Sequence, residues 1–185
     1  LMRNATALDW TGDPVDTSGW TQTMLSASGG NCAYVPDVPP ASTLGGPVSR
    51  SEVLVRAKDW YVRDVPYGSD LYAWDLTHSK DYREDCSGFV SMAWHLTTSY
   101  TTANLSQVSS TISKSSLRPG DALNYAGEHT VLFIGWKDQD AGTFSYYSES
   151  NPGVDMEYGT ANVYSGNIAG WPAASYAAIR YDKIV

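Results

Sequence analysis

The run Asp85-Cys86-Ser87-Gly88 constrains this chain most, because it leads directly into an apolar stretch over residues 89–96. Polar residues and a glycine before such a stretch predict a loop that turns into a buried helix, with Cys86 in its first turn. The N-terminus of a helix carries partial positive charge and unsatisfied N–H groups. We therefore expect the Cys86 thiol to ionise more easily than an ordinary cysteine.

A reactive thiol needs a base, and His129 is the main candidate. It begins the apolar, strand-like run His129–Trp136, which would hold an imidazole rigidly. His95 lies on the predicted Cys86 helix but about half a turn out of phase, so we expect it to pack away from the thiol. His78 precedes the motif in a loop and stays open as an alternative. A cysteine at a helix start with a histidine at a strand start is typical of a cysteine hydrolase.

A third side chain is expected to orient the imidazole. Glu149 and Asn151 stand at the end of the next predicted strand, two positions apart and therefore on the same face. Either accepts a hydrogen bond from the ring, and the choice between them stays open; Asp155 and Glu157 are weaker candidates. The Cys86 backbone N–H is expected to help form an oxyanion hole, and Tyr67 to add a hydroxyl or to shape the cleft.

Helical patterns followed by strand patterns predict an α+β fold, with the Cys86 helix packed on an antiparallel sheet. Residues 1–48 are rich in Thr, Ser, Gly and Pro and are interpreted as an irregular arm or pro-segment, and residues 49–185 as the domain. The predicted elements are a helix from the capping box Ser49–Glu52 to before Pro66, an aromatic-containing loop at 66–84, the Cys86 helix to about Leu96, a weak helix at 104–112, strands at 122–125, 129–137, 142–149 and 175–182, and a turn at 138–142.

The composition of the chain argues against some classes of partner and location. The chain has 185 residues, a formal charge of −8 and no cluster of Lys or Arg, which argues against nucleic acid as a partner. No apolar run has the length of a transmembrane helix. The chain begins with Leu1, which suggests a mature or truncated form whose export signal is missing. Low lysine content and many Ser, Thr, Tyr, Trp and Gly residues favour a secreted bacterial protein, expected to be a monomer.

Two cysteines, Cys32 and Cys86, lie in different contexts, so a disulfide scaffold is not expected. Cys32 follows Gly29-Gly30-Asn31 and reads either as an incidental buried thiol or as a regulatory partner for Cys86. In the second interpretation, residues 1–48 cover the cleft and a Cys32–Cys86 disulfide silences the enzyme.

Three segments resemble one family. Asp85-Cys86-Ser87-Gly88-Phe89-Val90 is similar to the nucleophile motif of the NlpC-type cell-wall cysteine peptidases. Leu117-Arg118-Pro119-Gly120-Asp121, followed by His129–Gly135, resembles the second block of that family, and Pro66-Tyr67-Gly68 resembles its upstream tyrosine segment. The spacing of Glu149 and Asn151 is closer to the third and fourth catalytic positions of the CHAP amidases. Both groups belong to the papain-like amidase superfamily.

The resemblance implies a papain-like fold and hydrolysis of an amide in the peptide of bacterial peptidoglycan, through a thioester on Cys86 and without a metal or another cofactor. It implies that Tyr67, Asp85 and Ser87 contribute to substrate binding. Trp74, with Tyr72 and Trp171, is a candidate to line a glycopeptide cleft. An immunity or inhibitor protein is a further candidate partner.

Two other functions stay open at this stage. One is a secreted cysteine deamidase, acyltransferase or toxin that acts on a protein or a small amide. The other is a non-catalytic wall-binding domain of the same fold, which the presence of both Cys86 and His129 disfavours.

Overall fold

The computed structural model describes residues 39–185. These residues form two α-helices and a mainly antiparallel set of strands, which confirms the α+β class. The helices are α1 (Arg50–Val62) and α2 (Cys86–Ala93). The strands are β1 (Gly68–Trp74), β2 (Asp81–Glu84), β3 (Ser109–Ile112), β4 (Ala122–Tyr125), β5 (His129–Asp138), β6 (Thr143–Ser148), β7 (Glu157–Asn162), β8 (Asn167–Ile168), β9 (Trp171–Pro172) and β10 (Ala177–Tyr181).

The main sheet has six strands in the order β3-β10-β4-β5-β6-β7, and every neighbouring pair is antiparallel. Alternate residues of β5 point to opposite faces, so Leu132 and Ile134 belong to one buried cluster and Val131 and Phe133 to another. The two helices cover the first face. The second face is covered by the segment that contains β8 and β9.

Helix α1 begins as the capping pattern predicts, because the Ser49 hydroxyl accepts the Glu52 N–H at 3.1 Å. The Glu52 side chain does not reach back to the cap. Its Oε2 instead accepts the backbone N–H groups of Ala41 and Ser42, each at 3.0 Å. Val48 is buried and forms a parallel bridge with Ile184, so residues 41–48 are fastened to the domain at two points.

Asp121 links the helical layer to the sheet. Its fully buried carboxylate contacts Arg50 at 2.9 Å and Arg180 at 2.7 Å, which ties the start of α1 to β10. Gly120 precedes it with a φ of +89°, a left-handed conformation that favours glycine. The Pro-Gly-Asp turn of the sequence therefore has a structural role.

Two predicted elements are wrong. Residues 66–84 were expected to be a loop but contain the antiparallel hairpin β1–β2. The weak helix at 104–112 is a 3₁₀ turn over Leu105–Gln107 followed by strand β3. Most residues of β1 and the middle of β3 face solvent, so neither segment carries the apolar alternation that indicates a strand.

The four strands predicted near the end of the chain are present, and so is the turn between β5 and β6, where Ala141 donates to Asp138 at 2.9 Å. Helix α2 ends at Ala93, three residues earlier than expected. Within residues 39–185, neither helix is both long and apolar enough to cross a membrane.

Candidate active site

Cys86 is the first residue of α2, and the turn that precedes it is fixed by its neighbours. Asp85 is the N-cap and accepts the Gly88 N–H at 2.7 Å. Arg83 forms an ion pair with Asp85 and also donates to the Ser87 hydroxyl at 3.1 Å. The predicted start of the helix is confirmed, and Cys86 lies buried in it as a free thiol.

Two backbone N–H groups, those of Ser87 and Thr130, donate to the Cys86 sulfur. Burial nevertheless raises the pKa of the Cys86 thiol to about 11, and the nearby Asp85 carboxylate adds to the rise. The expectation of an easily ionised thiol is therefore wrong for the resting protein, because desolvation outweighs the helix N-terminus and the two donors.

His129 begins β5, as the sequence predicts, and is almost completely buried. Its ring stacks on Trp171 with centroids 4.3 Å apart, and its Nε2 is hydrogen-bonded to the Ser148 hydroxyl at 2.9 Å. Burial lowers the pKa of His129 to about 4, so the imidazole is neutral near pH 7. When Ser148 accepts the Nε2 proton, Nδ1 presents a lone pair.

Thr130, the residue after His129 in β5, donates its backbone N–H to the Cys86 sulfur. His129 shares its face of the sheet with Val131 and Phe133, on the side away from the helices. The Thr130 N–H, at the start of β5, therefore links the thiol to the strand that carries His129.

Ser148, not Glu149 or Asn151, holds the His129 ring. Ser148 is hydrogen-bonded in turn to the Ser150 hydroxyl at 2.5 Å, and Ser150 donates to Glu157 at 3.4 Å. Side chains alternate along β6, so a residue next to Ser148 points to the other face. The prediction for Glu149 and Asn151 is wrong for this reason. The sequence could have indicated a contact between Ser148 and His129 only through the expected hairpin pairing of β5 with β6.

Glu149 is completely buried, and neither of its carboxylate oxygens has a hydrogen-bond partner within the described residues. Burial and four neighbouring acids raise its pKa to about 8, with Glu84 the strongest of the four. Asn151, in contrast, is exposed. Neither residue performs the orienting role predicted for it.

Tyr67 directly precedes β1 and is half-buried. Burial raises the pKa of the half-buried Tyr67 hydroxyl, and negative charge on Cys86, Asp85 and Glu149 raises it further. The other predicted binding residues of the motif, Asp85 and Ser87, are bonded within the turn.

Trp74 is half exposed and lies at the far end of the hairpin, where it pairs with Asp81. That position is about 10 Å along β2 from Glu84, which lies two residues before Cys86. The Trp74 ring stacks on His78 rather than beside the thiol. Tyr72 is exposed on the same strand.

His95 is packed away from the thiol, as expected. Its Nδ1 lies 2.8 Å from the Ser42 hydroxyl and 3.2 Å from the buried Arg56 guanidinium. Residues 39–185 contain no group of three or more His, Cys, Asp or Glu side chains arranged for a metal ion. Cys32, and with it the predicted Cys32–Cys86 pairing, lies outside the described residues.

Comparison of the chain with protein-family models, with curated proteins and with solved structures finds no match.

Proposed function

We propose that this protein is a cysteine hydrolase of papain-like arrangement, which cleaves an amide bond in the peptide part of bacterial peptidoglycan. One observation carries the proposal. A buried thiol at the start of α2 receives the N–H of Thr130, the neighbour of a buried histidine whose Nε2 is hydrogen-bonded to Ser148. Nucleophile, base and orienting group are the three parts that covalent amide hydrolysis needs.

The reaction proceeds through a thioester. As the sulfur attacks the carbonyl carbon, the Cys86 proton passes to His129 Nδ1, and the imidazolium then protonates the leaving amine. Water adds to the thioester with the imidazole as base, which releases the acid and restores the thiol. Ser148 keeps the ring in one orientation through these transfers.

The resting pair is neutral, because burial raises the pKa of Cys86 to about 11 and lowers that of His129 to about 4. A preformed thiolate–imidazolium pair is therefore disfavoured in the substrate-free site. Proton transfer accompanies attack, as in serine hydrolases, and does not precede it.

The peptidoglycan target and a secreted or wall-associated location rest on the motifs Asp85–Val90, Leu117–Asp121 and His129–Gly135. A protein or small-amide target uses the same chemistry. Digestion of defined muropeptides, followed by mass spectrometry, separates these targets, because hydrolysis of one amide in the stem peptide adds the mass of one water at an identifiable bond.

The variants Cys86→Ala and His129→Ala test the proposal. Each is expected to lower kcat/KM by about 1000-fold or more, since nucleophile and base act as a unit. Glu128→Gln, an exposed residue next to His129, serves as the matched control and retains activity. Stem peptides that bind but are never cleaved would instead favour a wall-binding domain.

A further inference from the structure

We infer that Glu149 and Glu84 form a subsite beside Cys86 for a primary ammonium group of the substrate peptide. The inference rests on the proposed function and specifies its substrate as a peptide that carries an amine near the scissile bond. It begins from Glu149, whose two buried oxygens have no partner among the described residues.

A buried carboxylate without hydrogen bonds is costly, and it is retained only when it is protonated or compensated by a cation. Arg83, the cation closest to the motif in sequence, is already bonded to Asp85, Ser87 and the Tyr100 carbonyl. The groups that act on Glu149 most strongly, Glu84, Asp155, Asp85 and Asp64, are all acids. Within residues 39–185 this carboxyl is surrounded by negative charge and forms no ion pair, and Arg63 is the cation that acts on the subsite, through Glu84.

Glu84 provides the second carboxylate. It is buried, and its Oε2 also has no hydrogen-bond partner in the described part of the chain, so the two carboxyl groups are not bonded to each other. The raised pKa of about 8 keeps Glu149 protonated near pH 7 in the substrate-free protein, and a bound ammonium group would displace that proton. Three buried oxygens, two from Glu149 and one from Glu84, then serve as its acceptors. An alkylammonium group carries three N–H donors and a single positive charge, which matches this set.

The backbone brings this acidic subsite to the thiol. Glu84 is two residues before Cys86 and pairs with Gly68, next to Tyr67. The 148–156 segment closes the other side, because Met156 N–H donates to the Val65 carbonyl at 3.2 Å. The Gly68–Glu84 pair thus brings Tyr67 and Glu84 to the turn that precedes Cys86, so a peptide whose carbonyl reaches the sulfur can place an amine against the carboxylates.

A metal ion fits these oxygens less well. No set of three His, Cys, Asp or Glu ligands for a metal occurs in the described part of the chain. A peptidoglycan stem peptide carries primary amines in two places, at its N-terminus and on the side chain of its diamino acid. Either source has the required chemistry.

The test uses the stem peptide L-Ala-γ-D-Glu-L-Lys-D-Ala in three forms: unmodified, Nα-acetylated and Nε-acetylated. Turnover by the wild-type protein gives kcat/KM, and calorimetry with Cys86→Ala gives Kd. Acetylation of one amine is expected to lower kcat/KM and to weaken binding by about 10- to 100-fold, the value of a charge-assisted hydrogen bond. Acetylation of the other amine changes either quantity by less than about threefold, which identifies the source of the ammonium group.

With the unmodified peptide, Glu149→Gln and Glu84→Gln should each lower kcat/KM by the factor that acetylation of the sensitive amine causes in the wild type. Acetylation of that amine should then lower kcat/KM no further in either variant. Binding is measured in the same variants combined with Cys86→Ala. Glu128→Gln is the matched control and should keep the full acetylation effect. Because the acetylated peptides leave the protein unchanged, the test holds even if a Glu variant fails to fold.

Equal cleavage of all three peptides would overturn the subsite and leave the proposed function standing. An undiminished acetylation effect in Glu149→Gln, or peptide binding that is lost on addition of EDTA, would overturn it as well. Failure of the wild-type protein to cleave any of the peptides or purified peptidoglycan would overturn the proposed function itself, and the substrate subsite with it.

Discussion

Ser148 is the residue that the sequence interpretation missed, and it decides how His129 is held. Glu149 and Asn151 were preferred because a carboxylate or amide is the usual partner of a catalytic imidazole. A serine at the end of an alternating strand carries no such signal. Its role follows from the register of β5 against β6 and from the hydrogen bond of 2.9 Å to Nε2.

Replacement of Ser148 by Ala should lower kcat/KM by about 5- to 30-fold while the fold is retained, because one buried hydrogen bond worth about 1 to 2 kcal/mol is removed. Asn151→Ala is the matched control, since Asn151 is exposed, and it should change the rate little. Equal losses in both variants, measured on the same peptide, would contradict the assignment of Ser148.

The buried thiol predicts an unusual alkylation profile. Because burial raises the pKa of Cys86 to about 11, its reaction with iodoacetamide should accelerate through that pH region, provided that the protein stays folded. Mass spectrometry of the Cys86 peptide measures the rate, and alkylation of the urea-unfolded chain gives the reference. A midpoint below pH 7 would reveal a preformed thiolate–imidazolium pair.

At the scale of elements, the junction of β2 with α2 fixes the nucleophile. Its two ends were not equally predictable. The apolar run after Cys86 and the Asp85 cap predicted the helix correctly. Strand β2 was not predicted, because its hairpin partner β1 is largely exposed and lacks an alternating apolar pattern. Edge strands β3 and β7 were missed for the same reason, since a strand with a solvated face of polar residues resembles a loop in sequence.

Gly88 tests this junction. A Cβ at position 88 would overlap the backbone carbonyl of Arg83, and backbone cannot move aside as a flexible side chain can. Gly88→Ala should therefore lower the free energy of unfolding by about 1 to 3 kcal/mol and reduce activity by displacing Cys86. Gly135→Ala is the control, because nothing lies within 4 Å of a Cβ there. Urea unfolding that shows no difference between the two variants would contradict this account of the junction.

At the scale of the whole molecule, the sheet brings together residues that are far apart in sequence. The α+β class and the strands at 122–125 and 129–137 could be predicted because buried strands leave apolar runs between turn residues. The acidic surroundings of Glu149 could not, since Asp64, Glu84 and Asp155 meet it only through long-range packing. The sequence shows a formal charge of −8 but not where that charge is concentrated.

Stability should depend on pH through this acidic group. The pKa of Glu149 rises from 4.5 to about 8 on folding, so between these pH values the folded protein holds a proton that the unfolded chain releases. Each unit by which the pH rises between 4.5 and about 8 therefore lowers the free energy of unfolding by about 1.4 kcal/mol through Glu149. The lowered pKa of His129 acts in the opposite sense, but only between about pH 4 and 6.5.

Urea unfolding of the wild type and of Glu149→Gln from pH 6.5 to 7.5 isolates the effect. The wild type should lose stability relative to the variant as pH rises, while Glu128→Gln should parallel the wild type. Parallel curves for the wild type and Glu149→Gln would show that Glu149 is not protonated in the folded protein.

Trapping the acyl-enzyme tests directly whether Cys86 is the nucleophile. Wild-type protein is mixed with the unmodified stem peptide, quenched in acid within milliseconds to seconds, digested and examined by mass spectrometry. A thioester on the Cys86 peptide should form before product accumulates and should be absent from Cys86→Ala. Hydrolysis of the peptide at an undiminished rate by Cys86→Ala, with no adduct on the wild-type sulfur, would contradict the assignment of Cys86 as the nucleophile.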